Sequence, residues 1–453
     1  MSFPRYPRYK DSGVEWLGKV PEHWEVLPIK RLGYLKAGAG FPAELQGSTG
    51  DELSFHKVNS LSGAGVDGFL PEAPDTISRE GANRLGAFVF PPSTAVFAKV
   101  GAALLLGRIA ILQHESCIDN NLMGLIAKPP MTTEFLRHAM AQVRFDYIAN
   151  PGAVPSINER QIGSFPLVVP TSAEQQAIAA FLDRETAKID ALIAEQQRLI
   201  ELLQEKRQAV ISHAVTKGLN PDAPMKDSGI EWLDVMPAHW RAMPVKHLAA
   251  QGAKTFTDGD WIESPYITDE GVRLIQTGNV GIGVYKEQGF RYVTQETYEA
   301  LRCTEVKPHD VLICRLDGPV GRACLAPDLG VRMITSVDNA ILKVSPDVSA
   351  TFVVALMSSL PWLSWIDALC RVGGGFRLRV SRSQLGELRV PLPPRAEQDA
   401  IMERISSHAE SCNTLAFKAA SAISLLQERR SALISAAVTG QIDVRGLAGS
   451  DAA

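Results

Sequence analysis

The chain has 453 residues, 45% of them hydrophobic and 21% charged, and its formal net charge at pH 7 is −4. This length exceeds one ordinary hydrophobic core, so about two to four domains are expected. The composition is that of a globular chain, without the low-complexity tracts of a disordered one. The slightly acidic balance excludes a uniformly basic nucleic-acid binder, although a local basic surface is still compatible with it.

The six cysteines are widely scattered and form no Cys-x-x-Cys pair. This distribution is typical of a reducing cytosol and argues against both a disulfide framework and a structural zinc site. The N-terminal residues lack the apolar core of a signal peptide. The longest charge-free run, 348–366, contains several serines and a proline, which favours a buried helix over a membrane span. We therefore predict a cytoplasmic protein without a membrane partner.

A segment near the N-terminus occurs twice in the chain. KDSGVEWLGKVPEHWEVLPIKRL spans 10–32 and KDSGIEWLDVMPAHWRAMPVKHL spans 226–248, so the two copies lie 216 positions apart with 13 of 23 positions identical. A long ungapped repeat of this kind predicts internal pseudo-symmetry. The repeated aromatic and histidine positions are candidates for docking partner proteins: Trp16, His23, Trp24, Trp232, His239 and Trp240.

Each copy is followed by a segment of mixed pattern, 33–165 and 249–388. Short β-branched and aromatic runs such as AFVF and VLICRL alternate with Gly, Pro and Asp turns. Each segment also contains a short helical pattern, TTEFLRHAMAQV in the first and TFVVALMSS in the second. These patterns predict two mixed α/β domains in an α+β protein.

Two long helical patterns follow the mixed segments. The runs from Ala173 and Ala396 are free of Gly and Pro for over 40 residues and align at an offset of 223, which implies a net insertion of seven residues in the second copy. Apolar residues recur at a spacing of three to four, which predicts two helices of about 65 Å with a coiled-coil seam. The predicted seam comprises Ile178, Leu182, Ile189, Leu192, Leu199, Leu203 and Val210 in the first helix, and Ile401, Ile405, Cys412, Leu415, Ala422, Leu426 and Leu433 in the second. An antiparallel pair of spacer helices is favoured over an ordinary core hairpin because of the length.

These patterns divide the chain into seven parts. The predicted parts are an N-terminal segment (1–32), a first variable domain (33–165), a first spacer helix (166–224), the repeated segment (225–248), a second variable domain (249–388), a second spacer helix (389–440) and a tail (441–453).

The sequence contains no recognisable catalytic constellation. It lacks a GxxxxGK[ST] phosphate loop, a strand-turn-helix GxGxxG, an HExxH pair and a GxSxG elbow. The glycine runs 38–40 and 373–375 lack the flanking pattern of a nucleotide site. We therefore predict no catalytic residue and no metal site, and a recognition or scaffold protein in place of an enzyme.

Basic and amide side chains in the two variable domains are candidates for binding DNA. The segment RVGGGFRLRVSR holds four arginines and no acid, and arginines bind phosphates or guanine edges while glycines allow close backbone approach. A solvated charge run on an edge strand is the alternative. The candidates are Lys57, Asn59, Lys99, Arg108, Asn158 and Arg160 in the first domain, and Gln276, Thr277, Asn279, Arg315, Arg322, Arg371, Arg377, Arg379 and Arg382 in the second.

The motifs together closely resemble the specificity (S) subunit of type I restriction–modification enzymes. The resemblance rests on KDSGVEWLG-x-x-PEHW before a variable domain and on EQQAIA-x-FLD-x-ETAKID with LL-x-EKR and AVTKGL after it, and it covers essentially the whole chain. The second helix departs from the pattern, since MERISSHAESCN replaces FLD-x-ETAKID. Partner contacts on that side are therefore less certain than on the first.

The resemblance implies two target-recognition domains joined by two long antiparallel helices in a pseudo-twofold repeat. It implies a subunit that is not catalytic and reads a bipartite, asymmetric site on double-stranded DNA. It also implies partners: two methyltransferase (M) subunits and up to two restriction (R) subunits. S-adenosylmethionine, ATP and magnesium are expected on those partners and none on this chain. The repeated segment becomes a docking frame, which a cyclic arrangement places beside the end of the other copy's helix. A coiled-coil adaptor that binds proteins and no DNA remains the rival interpretation.

Overall fold

The computed structural model describes residues 3–65, 68–316, 318–372 and 378–447. The chain forms two compact units, the first made of Met1–Gln197 with Ala420–Ala453 and the second of Arg198–Ala419. Each unit therefore contains one variable domain, one copy of the repeated segment and a part of both long helices. Arg377, one of the DNA-binding candidates, lies outside the described residues.

The first variable domain is built on two mixed sheets. The strands are β1 (Tyr9–Asp11), β2 (Lys19–Pro21), β3 (Glu25–Pro28), β4 (Gly33–Ala37), β5 (Leu53–His56), β6 (Phe69–Leu70), β7 (Thr76–Ile77), β8 (Ala95–Ala98), β9 (Ile109–Leu112), β10 (Ser116–Ile118), β11 (Leu122–Ala127) and β12 (Pro166–Val169). The helices are α1 (Ile29–Leu32), α2 (Arg79–Arg84), α3 (Ala102–Leu105), α4 (Thr133–Met140), α5 (Phe145–Ile148), α6 (Glu159–Ser164) and the long α7 (Ser172–Lys217), with short 3₁₀ turns at Ala43–Leu45 and Val58–Gly63. One sheet has the order β4-β11-β8-β9-β6 and the other β10-β5-β7. The parallel pair β10–β5 is joined by a long connection, as parallel strands require.

The second unit repeats this topology. Its strands are β13 (Met225–Ile230), β14 (Leu233–Pro237), β15 (Arg241–Pro244), β16 (Phe256–Asp258), β17 (Val272–Ile275), β18 (Tyr292–Val293), β19 (Val311–Cys314), β20 (Ala323–Leu325), β21 (Met333–Thr335), β22 (Asn339–Leu342) and β23 (Arg389–Leu392). Its helices are α8 (Gln295–Ala300), α9 (Ala350–Met357), α10 (Leu360–Val372), α11 (Arg382–Glu387) and the long α12 (Arg395–Val438), with 3₁₀ turns at Val245–Leu248, Gly252–Lys254, Ser264–Tyr266 and Thr277–Asn279. The order β16-β22-β19-β20 matches β4-β11-β8-β9, and β18-β17-β21 matches β7-β5-β10.

The repeated segments pair with the strands that precede the long helices. In the first unit β3 pairs antiparallel with β12, and Glu25 lies opposite Val169. In the second unit β15 pairs with β23, and Arg241 lies opposite Leu392. These partners are 216 and 223 positions on from those in the first unit, which are the two offsets found in the sequence. The internal repeat predicted from the sequence is therefore present in the strand pairing.

Both long helices contribute their ends to the hydrophobic interiors. In the first unit, Ile178 near the start of α7 and Ala437 near the end of α12 are buried in one core with Trp24. In the second unit, Val215 near the end of α7 and Ile401 near the start of α12 share a core with Trp240. The helices therefore run antiparallel within each unit. The α+β fold with two long antiparallel helices is confirmed.

The predicted apolar seam is buried only toward the ends of the helices. In α7, Ile178, Leu182 and Ile189 are at most 5% exposed. The central leucines Leu192 and Leu199 keep 45% and 40% of their surface exposed. Most of the stabilisation of each helix therefore comes from the variable domain that its ends pack against.

In the described part of the chain, no single helix is long and apolar enough to cross a membrane. Only α9 and α10 taken together pass that test, and they are bent by 59° at the break between them.

Candidate functional site

The repeated segments are held to the long helices by a histidine–glutamate contact. His23 Nε2 lies 2.8 Å from Glu174 Oε1 in the first unit, and His239 Nε2 lies 2.7 Å from Glu397 Oε2 in the second. Both histidines keep about half of their side-chain surface exposed. The exposed faces are compatible with the predicted docking role, which remains a prediction.

The tryptophans of the docking set differ in accessibility. Trp24 and Trp240 are fully buried, so they hold the repeated segment in the core and the prediction that their side chains contact a partner is corrected. Trp16 is 42% exposed and stacks on Phe165 with ring centroids 5.3 Å apart. Trp232 is half-buried, and its indole N–H donates to the Arg389 carbonyl at 3.1 Å. The partly exposed pair is the remaining candidate surface.

The end of each long helix packs on the tryptophan of the neighbouring repeated segment. Gly440, after α12, lies so close to Trp24 that a Cβ would come within 2.9 Å of the ring. Gly218, after α7, lies in the same way against Trp240, where a Cβ would be 3.3 Å from the ring. Both glycines have left-handed backbone, with φ of 75° and 76°, as helix ends often require. The cyclic arrangement expected from the sequence is thus present within each unit.

A buried glutamine near the start of each long helix fixes the variable domain to it. Gln175 accepts a hydrogen bond from the Thr132 amide at 2.8 Å and donates to the carbonyls of Pro130 and Pro170. Gln398 repeats this pattern with the Ser349 amide at 2.7 Å and the carbonyls of Asp347 and Pro393. Thr132 and Ser349 cap α4 and α9, so each clamp holds the first turn of a domain helix. The sequence reasoning missed these residues, although both glutamines lie inside the aligned AEQ motif.

The first group of DNA-binding candidates lies at the strand ends of the first domain. Lys57 follows β5, pairs with Asp75 at 2.7 Å and lies over the Phe41 ring. Asn59 is exposed two residues further on. Lys99 is half-buried, and its backbone bonds to Asn121 and Ile157. Lys57 is therefore engaged within the domain in this structure, and Asn59 offers an accessible amide.

The structure brings the other candidates of this domain onto one surface. Arg108 and Arg160 are both exposed, and Asn158 caps α6 by accepting from the Gln161 amide at 2.9 Å. The sequence reasoning missed Arg144 and Tyr147 on the adjoining α5. The Arg144 guanidinium lies 4.3 Å from the centre of the Tyr147 ring, which is 77% exposed. An exposed arginine–aromatic pair next to further arginines is a common composition for contacting nucleic acid.

In the second domain, the candidates after β17 form a buried turn. The Asn279 side chain is 2% exposed, accepts from the Gln276 amide at 2.9 Å and donates to the Gln288 carbonyl at 2.7 Å. Arg322 is 7% exposed and donates to the carbonyls of Val280 and Thr277 at 2.6 and 2.8 Å. Asn279 and Arg322 thus shape the turn, and the prediction that these two side chains reach DNA is corrected. Gln276 and Thr277 themselves remain partly exposed.

The remaining arginines of the second domain surround two aspartates. Asp258 pairs with Arg315 at 2.8 Å and with Arg382 at 2.9 Å, and Asp338 pairs with Arg379 at 3.0 Å. Arg315 is 4% exposed, and burial lowers the pKa of its guanidinium against the opposing effect of Asp258. The predicted DNA contact is therefore corrected for Arg315, whose side chain supports the cluster from within.

Two other arginines of this domain have accessible side chains. Arg379 keeps 51% of its side-chain surface exposed, and Arg382 keeps 36%. Arg371 is more exposed, but it lies on α10 and pairs with Asp367 one helical turn away at 2.7 Å. Arg379 is thus the best-placed arginine for contacting a ligand in the described part of this domain.

The comparisons with known proteins agree with this architecture. Residues 21–202 match the family model of the type I restriction modification DNA specificity domain. The putative type I restriction enzyme MjaX specificity subunit of Methanocaldococcus jannaschii is 23% identical over 403 residues, which cover 86% of this chain and 88% of the relative. The type I restriction enzyme EcoKI specificity subunit of Escherichia coli K12 is 21% identical over 439 residues, which cover 94% of this chain and 90% of the relative.

The chain belongs to the family of type I specificity subunits. Members of this family are the non-catalytic DNA-recognition components of their enzymes, so the chain has a role in DNA sequence recognition. The fold agrees with those of solved relatives. A chain from the structure described as "Structural basis underlying complex assembly and conformational transition of the type I R-M system" superimposes with a TM-score of 0.64 at 14% identity, and the match covers 92% of this chain and 98% of that one.

Proposed function

We propose that this specificity subunit reads a bipartite, asymmetric DNA site, with one half recognised by each unit. The observation that carries the proposal is one scaffold present twice with different side chains at equivalent positions. Lys57 and Gln276 both precede the 3₁₀ turn that follows the parallel strand of their unit, β5 and β17. Helices α6 and α11 begin with the same capping box but continue with Glu159-Arg160 in one and Arg382-Ser383 in the other. Equivalent loops with different donors and acceptors favour different base sequences.

The proposal includes methyltransferase subunits docked on the duplicated frame. The partly exposed Trp16 and Trp232 and the exposed faces of His23 and His239 occur once in each unit, which supports one such subunit per unit. Restriction subunits would join the same complex. S-adenosylmethionine, ATP and magnesium would then be bound by those partners in the cytoplasm, and this chain would supply only recognition.

The test is selection from a pool of random DNA duplexes by the full chain assembled with its methyltransferase subunit. We expect enrichment of two short sequences separated by a spacer of fixed length. Equal recovery of all sequences, with or without the partner, would contradict the proposal and favour the protein-binding adaptor.

A further inference from the structure

Leu105 and Leu106 form an exposed apolar tip on the first variable domain. Their side chains are 52% and 62% exposed, whereas the preceding Leu104 is 1% exposed and anchors the single turn of α3 in the core. The Gly101 amide donates to the Pro155 carbonyl at 2.8 Å, which places Val154, itself 62% exposed, on the neighbouring segment. Contiguous exposed apolar side chains on a folded domain typically mark a contact surface.

The charges around the tip indicate what kind of partner it contacts. Lys99 and Arg108 flank the tip in sequence, and α3 packs against α5, which carries Tyr147 next to Arg144. The Ile157 amide donates to the Lys99 carbonyl at 2.9 Å and brings Arg160 to the same side. The nearby acids are Asp146, which pairs with Arg144 at 2.8 Å, and the exposed Glu159. An apolar tip within a ring of cations is complementary to DNA, whose phosphates border grooves lined by apolar base faces and sugars.

We propose that the Leu105–Leu106 tip enters a groove of the DNA and unstacks a base step in the half-site read by the first unit. This inference rests on the proposed function and extends it from base contacts to deformation of the DNA. Apolar side chains inserted between base steps partly unstack them and kink the duplex. Arg108, Arg144 and Arg160 would hold the flanking phosphates and offset the cost of unstacking. Specificity would then also depend on how easily the base step deforms.

The second unit has a different turn at the equivalent place. The segment between Arg315 and Arg322 contains Val320, which is fully buried, and Leu316, which is half-buried. Residue 317 lies outside the described part, and the described residues of this turn include no pair of exposed leucines. The deformation is therefore expected in one half-site only.

The test uses the full chain assembled with its methyltransferase subunits and a duplex that carries its mapped target. 2-Aminopurine is placed in turn at each position except the methylated adenine, because methyltransferases flip that base themselves. We expect the wild-type complex to raise the fluorescence at one step of the first half-site by severalfold. The L105A/L106A variant should give the signal of free DNA, and L105K/L106K should bind DNA at least as tightly as wild type without the signal. L425A, at an equally exposed leucine of α12, is the matched control and should behave as wild type.

Three results would overturn the inference while the proposed function stands. They are specific binding by the wild type without any fluorescence increase in the first half-site, a signal that persists in L105A/L106A, or loss of methyltransferase assembly in L105A/L106A with DNA affinity unchanged. The last result would make the tip a protein contact. A wild-type complex that selects no DNA sequence at all would instead remove the proposed function, and this inference with it.

Discussion

Glu174 Oε1 lies 2.8 Å from His23 Nε2 and joins the N-terminal segment to the first turn of α7. The same carboxylate also accepts the Trp24 indole N–H at 3.3 Å and the hydroxyl of Thr171 at 2.8 Å. Burial alone would raise the pKa of Glu174, but the hydrogen bonds from His23, Thr171 and Trp24 outweigh it and hold the pKa below its ordinary value. One ionised side chain therefore connects the docking frame, a core tryptophan and the helix cap.

The depressed pKa predicts a pH-dependent contribution of Glu174 to stability. A carboxyl whose folded pKa is lowered stabilises the fold above its unfolded pKa of about 4.3 and loses that contribution as pH falls through the folded value. We expect E174Q to lower the free energy of unfolding by about 1.5–3 kcal/mol at pH 7, because it removes hydrogen bonds to a charged group. Thermal unfolding of both proteins between pH 3 and pH 7, as a rough range around that pKa, measures the difference.

The control is E397Q in the second unit, where Glu397 is 28% exposed and contacts His239. We expect a smaller loss of stability there, since an exposed pair contributes less. A deficit of E174Q that stays constant down to the most acidic pH would show that packing, and not the charge, is responsible.

Arg379 is predicted to contact DNA directly. Because its side chain is half exposed and held only by Asp338, R379A should weaken specific binding by about 1–3 kcal/mol if it contacts a base, or reduce the salt dependence if it contacts a phosphate. The matched control is R371A, which removes an exposed arginine paired within α10 and should leave binding unchanged. Affinities of the assembled complex at several salt concentrations decide between these outcomes. Equal effects of the two substitutions would indicate a general charge effect.

Arg322 is predicted to act through the turn that it supports. R322M removes the donors that satisfy the carbonyls of Thr277, Pro319 and Val280, and each buried acceptor left unpaired costs about 1–3 kcal/mol. We therefore expect a lower unfolding temperature and faster amide exchange in 276–280, with no change in 53–63 of the first unit. Hydrogen-exchange mass spectrometry reads both regions at once. Normal exchange together with lost DNA binding would instead show a direct contact by Arg322.

The frame of the fold could be predicted from the sequence because it is written twice. The pairing of Glu25 with Val169 and of Arg241 with Leu392 follows the two sequence offsets. Both long helices could be predicted because runs of more than 40 residues without Gly or Pro have few alternatives to a helix.

The roles of individual side chains in the variable domains could not be predicted in the same way. Arg315 and Arg322 look like surface arginines in the sequence, but their partners Asp258 and Val280 lie 42 to 57 residues away along the chain. Tyr147 was missed because RFDYI has the pattern of an ordinary helical turn, and nothing in it shows that the ring is left exposed. Burial depends on long-range packing, whereas the sequence pattern reports local periodicity.

The most direct measurement of the central claim is a genome-wide map of methylated adenines in cells that carry this gene and in cells that lack it. If each unit reads one half-site, the motif lost on deletion should consist of two different short sequences separated by an unspecified spacer of constant length. The two halves should be unrelated by symmetry, because Lys57 and Gln276, at equivalent positions of the two units, differ in what they can bind. A contiguous palindromic motif, or a methylation map unchanged by the deletion, would contradict the account.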